Sequence, residues 1–426
     1  MTSSRSDFLW TLCGRLGFTG ANGAMMLGLY LSDPEGFPLA RFGSLLVFIQ
    51  AQLLLSRLLL AGQDQAVVRF WPEHRRQAIR NSMFWVRTCS LVAIGLGLVA
   101  EIGISQLGLS IPRGTAMMVA VGASAQAYLD MSAATLMATL RFKAAGLLLS
   151  IGPLIRAGAV LLVAAERTEF AYTIGTVLIA LGAVQVSALA SRSATRQEGT
   201  DDSSFALDRL STLRYGAWIA VADALVILSL SSAVFAVKFQ GQEFANEGSR
   251  LAFAMAVAQG HFAVFLAFYQ SLLPRASHCQ DLAEFDRVFE SGRRSSVKLA
   301  IGLVVLSGLA IAVLIPLVTR FRPEGLGFHW PLLVLTAFMV ALVFEAPYGV
   351  TAQYLKRPRL QVQALAVRAS IACTLAFGLS FAGAIPAVIG QAIGAFAGLS
   401  ALVLFVNRAQ RRHRSEEVTP CAASQA

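Results

Sequence analysis

The stretch FLWTLCGRLGFTGANGAMMLGLYL, residues 8–31, is apolar over most of its length but carries Arg15 near its middle. A hydrocarbon core of about 30 Å needs about 20 helical residues for each crossing. No acidic residue lies within four positions of Arg15, so no neighbour in sequence neutralises this guanidinium. The stretch therefore predicts a transmembrane helix and raises the question of what its arginine faces.

The composition of the whole chain is that of a membrane protein. Of its residues, 56% are hydrophobic and 14% are charged, and the mean hydropathy is +0.63, whereas soluble domains are about half apolar and a quarter charged. The apolar runs predict twelve spans, at 8–31, 38–62, 82–107, 113–138, 144–165, 168–190, 214–238, 249–273, 296–318, 328–354, 359–382 and 384–406. The five cysteines show no paired or metal-like spacing, so no disulfide, metal site or cofactor is expected.

Lysines and arginines are distributed unevenly between the two sets of loops. Twenty-three of the 35 fall in the even-numbered loops and the termini, and six fall in the odd-numbered loops. The positive-inside rule therefore predicts that both termini are cytoplasmic, in agreement with an even number of spans. The formal charge of +11 then follows from topology, and no nucleic-acid partner is expected.

The chain divides near its middle at SRSATRQEGTDDSSFALDRLSTL, residues 191–213, which mixes both charges with Ser and Thr as linkers do. We predict an N-terminal six-helix lobe over 1–200, a cytoplasmic linker over 201–213, a C-terminal six-helix lobe over 214–406 and a basic cytoplasmic tail over 407–426. Six helices in each half give parallel repeats with a cavity between them. The predicted fold class is an all-α integral membrane protein of about twelve transmembrane helices in two six-helix lobes around a central cavity.

A second cytoplasmic segment, RASHCQDLAEFDRVFESGRRSS at residues 275–296, has apolar residues at helical spacing: Leu282, Phe285, Val288 and Phe289. This pattern is typical of a short amphipathic helix on the inner membrane surface. A solvated hairpin is the alternative that the sequence leaves open.

Ionisable residues at membrane depth are costly and usually face a protein interior or water. Helix 1 carries a polar stripe at helical spacing, formed by Thr11, Arg15, Thr19 and Asn22. Arginines also occur in the second and fifth spans. Because guanidinium groups bind phosphate and carboxylate bidentately, an anionic ligand is inferred, with four predicted binding residues: Arg15, Asn22, Arg57 and Arg156. The alternative is that each arginine is neutralised internally, for instance by Asp130.

Two acids of the second half are predicted to couple transport by binding a cation or a proton. They are Asp223 in the seventh span and Glu345 in the tenth. In the alternative, each acid satisfies Arg368 or a backbone group.

The stretch GLYLSDPEGFPLARFGSLLVFIQAQLLLSRLLLAGQDQAVVRFWPE, residues 28–73, resembles the helix 1–2 region of one branch of the multidrug/oligosaccharidyl-lipid/polysaccharide flippase superfamily, the polysaccharide exporters. The likeness rests on the turn DPEGF at residues 33–37 and on Gly62, which is followed by Ala66 and Arg69 before the cytoplasmic loop. LAFYQSLLPRASHCQDLAEFDRVF, residues 266–289, is similar to the second half of the same branch, with Pro274 closing helix 8.

The resemblance implies a flippase that moves an undecaprenyl-diphosphate-linked oligosaccharide across the bacterial inner membrane by alternating access. The basic residues of the N-terminal half would then meet the diphosphate. The implied partners are the lipid-linked oligosaccharide, membrane lipids and a glycan polymerase or glycosyltransferase.

Two alternatives to the flippase stay open, namely a cation-coupled multidrug antiporter of the same superfamily and a membrane glycan polymerase or ligase. We expect a transporter and not an enzyme, because the predicted external loops are too short to hold a catalytic domain.

Overall fold

The computed structural model describes residues 3–32, 39–106, 113–163, 167–197, 207–240, 245–279, 282–321, 329–355 and 357–423. Over these residues the chain forms twelve α-helices and no strand. The helices are α1 (Ser3–Ser32), α2 (Leu39–Leu60), α3 (Gln63–Gln106), α4 (Thr115–Ala138), α5 (Phe142–Leu161), α6 (Thr168–Gln197), α7 (Arg209–Phe239), α8 (Ala245–His278), α9 (Leu282–Phe321), α10 (His329–Tyr354), α11 (Arg359–Ser380) and α12 (Ala384–Ala423). Each predicted span corresponds to one helix, which confirms the predicted helical architecture.

The helices pack as two repeats of six. In the first half, α4 packs against α2, α3 and α6, and α1 packs against α5. Raising every number by six gives the contacts of the second half, where α10 packs against α8, α9 and α12, and α7 packs against α11. The two lobes meet where α1 contacts α8 and where α2 and α3 contact α7.

The predicted boundary at 200 lies outside the described residues, and those at 213 and 406 lie inside α7 and α12. Residues 201–206 of the predicted linker also lie outside the described residues, and α7 begins at Arg209, inside the stretch assigned to the linker. Helix α12 continues to Ala423, through most of the predicted tail. The boundaries at 200, 213 and 406 stay predictions.

The outer surface of the bundle is apolar. Long hydrophobic side chains are more than half exposed on several helices, for example Leu96 on α3, Ile155 on α5, Leu189 on α6 and Ile301 on α9. Such a surface is stable against lipid and unfavourable in water. Eight helical segments of the described chain are long and apolar enough to cross a membrane by length and composition.

Helix α4 is not among those eight segments, and other helices enclose it. From Ala120 to Ala138 its side chains are almost all buried between α2, α3 and α6. A helix that does not face lipid can carry polar groups, and α4 buries Gln126 and Asp130 in this way.

Two helices begin more than ten residues earlier than the predicted spans. Helix α3 starts at Gln63 instead of residue 82 and has a non-helical backbone at Arg75, where it kinks. Helix α9 starts at Leu282 instead of residue 296, so the amphipathic segment is helical and continuous with its membrane span. The apolar face of this segment does not lie on the membrane surface, because Phe285 stacks on Tyr354 of α10 with ring centroids 3.9 Å apart.

Glycines allow α11 and α12 to pack with their backbones in close approach. A Cβ atom added to Gly394 would lie 2.6 Å from the backbone nitrogen of Ala372, and one added to Gly390 would lie 2.7 Å from the carbonyl carbon of Leu375. Gly378 on α11 faces open space. Gly390 and Gly394 on α12 therefore allow the short distance between the two helices.

We expect Gly394→Ala to destabilise the protein by about 1–3 kcal/mol, because the added methyl group forces the two helices apart. Thermal unfolding in detergent, followed by tryptophan fluorescence, measures the effect. The matched control is Gly378→Ala, which adds the same group where there is room. Equal melting temperatures for the two variants would contradict this account of the packing.

Candidate functional site

A cavity of about 70 Å³ lies between the two lobes. Helices α2, α3 and α4 line it on the N-terminal side, and α7 and α8 line it on the C-terminal side. Its polar lining includes Arg57, Asp64, Asp223, Tyr269 and Gln270. The cavity therefore combines acidic and basic groups at the junction of the repeats.

Two arginines of the N-terminal lobe converge on one carboxylate. Arg15 Nη1 lies 3.7 Å from Asp130 Oδ1, and Arg57 Nη2 lies 3.5 Å from Asp130 Oδ2. Arg57 Nη1 also donates to Asp64 Oδ2 at 3.3 Å. These four side chains come from α1, α2, α3 and α4 and form a neutral set of two cations and two anions. The internal neutralisation by Asp130 that the sequence left open is therefore present in this conformation.

The C-terminal lobe meets this charge cluster with one neutral and one acidic group. Arg15 Nε donates a hydrogen bond of 3.1 Å to Gln270 Oε1 on α8. Asp223 on α7 lines the same cavity and forms no ion pair with another described residue. Taken with Asp64 and Asp130, it makes three acids against two arginines, so the formal charge of the cluster is negative by one.

Arg156 and Asn22 form a separate cluster inside the N-terminal lobe. Arg156 donates through Nη2 to Asn22 Oδ1 and through Nη1 to Thr176 Oγ1, both at 2.9 Å. Its guanidinium lies 4.1 Å from the ring centroid of Tyr172. Arg156 is only 1% exposed, between α1, α5 and α6. The structure thus places these two predicted binding residues away from the inter-lobe cavity.

Glu345 is buried in the C-terminal lobe, where Arg368 donates to it from α11. Arg368 is fully buried and Glu345 is 4% exposed. Neither lines the inter-lobe cavity. Of the two acids predicted for coupling, only Asp223 reaches the site, and Glu345 makes the contact with Arg368 that was its alternative.

Hydrogen bonds join the lobes at the end predicted to be cytoplasmic. Gln63 of α3 donates to the carbonyl oxygen of Thr212 on α7 at 3.3 Å, and Asn81 of α3 donates to the carbonyl oxygen of Leu207 at 2.9 Å. Gln353 of α10 donates to Gln65 Oε1 at 2.9 Å and accepts from the hydroxyl of Tyr215 at 3.0 Å. In this conformation the lobes are in direct contact at that end.

Gln270 and Gln353 were not singled out from the sequence, although each occurs in an otherwise apolar run, as in LAFYQSLL. An uncharged amide in a transmembrane helix is a weaker signal than a charge, because it costs less to bury and often bonds to a neighbouring helix. Their positions across from Arg15 and Gln65 follow only from tertiary structure.

No family model and no curated protein matches the chain. Solved structures match over almost its whole length. A MATE in the straight conformation superposes with a TM-score of 0.70 at 14% identity, with 96% of each chain covered. The MATE transporter VcmN of Vibrio cholerae, in the bent form, gives 0.65 at 15% identity and covers 97% of this chain and 99% of its own.

A third structure is a MOP superfamily transporter from Pyrococcus furiosus, described as having a binding pocket of reverse polarity. It gives 0.65 at 13% identity, with 96% of each chain covered. At these identities the likeness establishes the fold. The chain has the MATE-type fold, with twelve transmembrane helices in two lobes.

We expect Asp130→Asn to destabilise the protein by about 3–5 kcal/mol, because it leaves Arg15 without its ion-pair partner and Arg57 with Asp64 alone. The midpoint of thermal unfolding in detergent reports the loss. Glu290→Gln is the matched control, since Glu290 also pairs with two arginines, Arg293 and Arg294, but is exposed and screened by water. If both variants shift the midpoint equally, burial does not increase the contribution of the Asp130 ion pairs to stability.

Proposed function

We propose that this chain is an alternating-access transporter that flips an undecaprenyl-diphosphate-linked oligosaccharide across the bacterial inner membrane. The observation that carries the proposal is the pair of guanidinium groups, Arg15 and Arg57, at the junction of the two lobes. The MATE-type fold supports transport as the general activity, and the resemblance of residues 28–73 to polysaccharide exporters supports the substrate class.

The diphosphate is suited to replace the carboxylates that now hold these arginines. Arg57 lines the cavity and is 19% exposed, whereas Asp130 is 3% exposed behind it. Guanidinium groups bind phosphate oxygens with the same fork geometry that they use for carboxylate. A ligand that enters from the cavity would therefore meet Arg57 first, with Arg15 next to it.

The cavity must enlarge before a glycan can enter. Its volume of about 70 Å³ holds a few water molecules, and a sugar ring with its diphosphate is several times larger. The hydrogen bond from Arg15 to Gln270 spans the two lobes and breaks when they separate. Opening would thus free a donor of Arg15 at the moment when the cavity becomes large enough for substrate.

A cation-coupled multidrug antiporter is the second candidate, and one observation favours it. The three acids Asp64, Asp130 and Asp223 outnumber the two arginines around the cavity. The buried Oδ1 atom of Asp64 also has no hydrogen-bond donor among the described residues. Such an oxygen suits a proton or a cation.

We expect Arg57→Gln and Arg15→Gln each to reduce flipping of the lipid-linked oligosaccharide by about 10- to 100-fold, the equivalent of one lost charge-assisted hydrogen bond. Flipping is measured in proteoliposomes, and surface glycan is measured in a bacterial strain that lacks its own flippase. Arg87→Gln is the control, because Arg87 is an exposed arginine at the edge of the α3 span. Full activity of both variants at normal protein levels would rule out the guanidinium pair as the diphosphate site.

The two candidates differ in what an imposed pH gradient does. We expect wild-type proteoliposomes to show no gradient-driven efflux of a cationic dye such as ethidium, because the proposed substrate is an anionic lipid. Dye efflux that Asp223→Asn abolishes and Glu345→Gln spares would instead identify an antiporter and displace the flippase proposal.

A further inference from the structure

A second and larger cavity, of about 820 Å³, lies between α8 and the start of α9, at the end of the bundle predicted to be cytoplasmic. Four basic and two acidic side chains line it, which gives an excess of two positive charges. The basic residues are Arg275 of α8 and Arg287, Arg294 and Lys298 of α9, and the acidic residues are Asp286 and Glu290. The cavity is distinct from the inter-lobe site and shares no lining residue with it.

The basic residues of α9 lie on a single face of the helix. Arg287, Arg294 and Lys298 are spaced by seven and four residues, which keeps them within about 20° of one line along the helix. All three are exposed. They form a ridge of positive charge, the basic stripe, along one wall of the cavity.

The same face becomes apolar where α9 enters the membrane. Ile301, Val305 and Leu309 continue the line of the basic stripe at spacings of three and four residues, and they are 61%, 56% and 57% exposed. From Lys298 to Leu309 the helix rises about 16 Å, roughly half of a 30 Å hydrocarbon core. The charged and apolar parts of this face therefore match the headgroup and the acyl chain of a phospholipid in one leaflet.

We propose that this face of α9, with Arg275 of α8, binds an anionic phospholipid. Its phosphate would lie in the cavity against Arg294 and Lys298, and one acyl chain would lie along Ile301, Val305 and Leu309. Basic pockets between transmembrane helices on the cytoplasmic side are suited to such headgroups. A zwitterionic lipid would gain less from the same cavity, because its ammonium group cancels the charge of its phosphate.

The bound lipid would act on the helix that holds the lobes together. The cavity includes Ser271 of α8, which directly follows Gln270, the partner of Arg15 across the lobe junction. At Gly292 of α9 the two helices are already close, since a Cβ atom there would lie 3.3 Å from Leu272. A lipid that bridges α8 and α9 would therefore stabilise the position of Gln270. This site does not depend on the nature of the transported substrate.

The test uses the full chain in nanodiscs of phosphatidylcholine with a minor fraction of phosphatidylglycerol, and measures the affinity for phosphatidylglycerol by native mass spectrometry of the released complexes. We expect the double variant R294Q/K298Q to bind phosphatidylglycerol roughly 30-fold more weakly and K298Q alone roughly five-fold more weakly. The control is R293Q, which removes an exposed positive charge next to Arg294 but outside the cavity.

Unchanged affinity in the double variant, or an equal loss in R293Q, would overturn the proposal, since the charge would then act without a defined site. Inorganic phosphate is added as a separate probe. If phosphate displaces the lipid from wild type, the cavity binds a free anion and the apolar residues Ile301, Val305 and Leu309 do not contribute to binding, which would overturn the proposal of a lipid site. V305S supplies the opposite check, because it should weaken lipid retention while leaving the charges in place.

Discussion

A charge within the hydrocarbon layer must be compensated inside the protein, and the architecture of the N-terminal lobe follows from this requirement. Arg15 and Arg57 reach membrane depth on α1 and α2, and α4 brings Asp130 to both of them. Because Asp130 contacts arginines on two different helices, α4 must pass through the middle of the lobe, where its neighbours enclose it. Its run of small buried side chains from Ala120 to Ala138 makes such close packing possible. The charge cluster and the burial of α4 are thus consequences of one constraint.

The helices could be predicted from the sequence because lipid imposes length and composition on each of them. The starts of α3 and α9 could not, since hydropathy marks where a helix enters the membrane and not where it begins. The segment from Gln63 to residue 81 is polar enough to be placed in a loop, yet it is helical and contacts α7 through Gln63, which donates to the carbonyl oxygen of Thr212. For the start of α9, periodicity indicated a helix but left its apolar face without a partner. Tertiary structure supplies Tyr354 as that partner.

At the candidate site, too, features within one helix could be predicted from the sequence, whereas contacts between helices could not. The polar stripe on α1 could be recognised from spacing alone, and its members are largely buried. Arg15 and Asn22 lie seven residues apart on one face, a rise of about 10 Å along the axis. That distance is enough for Arg15 to meet α4 and α8 while Asn22 meets Arg156 of α5. A polar stripe indicates which face of a helix is buried. The hydrogen-bond and ion-pair partners of its residues depend on which helices pack against that face at each position along the axis.

The charges are also divided between the lobes in a way that suits movement. Among the described residues, the buried ion pairs lie within a lobe, as in Arg57 with Asp130 and Glu345 with Arg368. The hydrogen bonds described between the lobes use a neutral group on at least one side, as in Gln270 with Arg15. Separating a buried ion pair costs about 3–5 kcal/mol, whereas a hydrogen bond exchanged for one to water costs about 1 kcal/mol net between neutral groups and about 1.5–3 kcal/mol when its donor is charged. The lobes can therefore part while the ion pairs within each lobe stay intact, which is an energetic condition of the proposed alternating access.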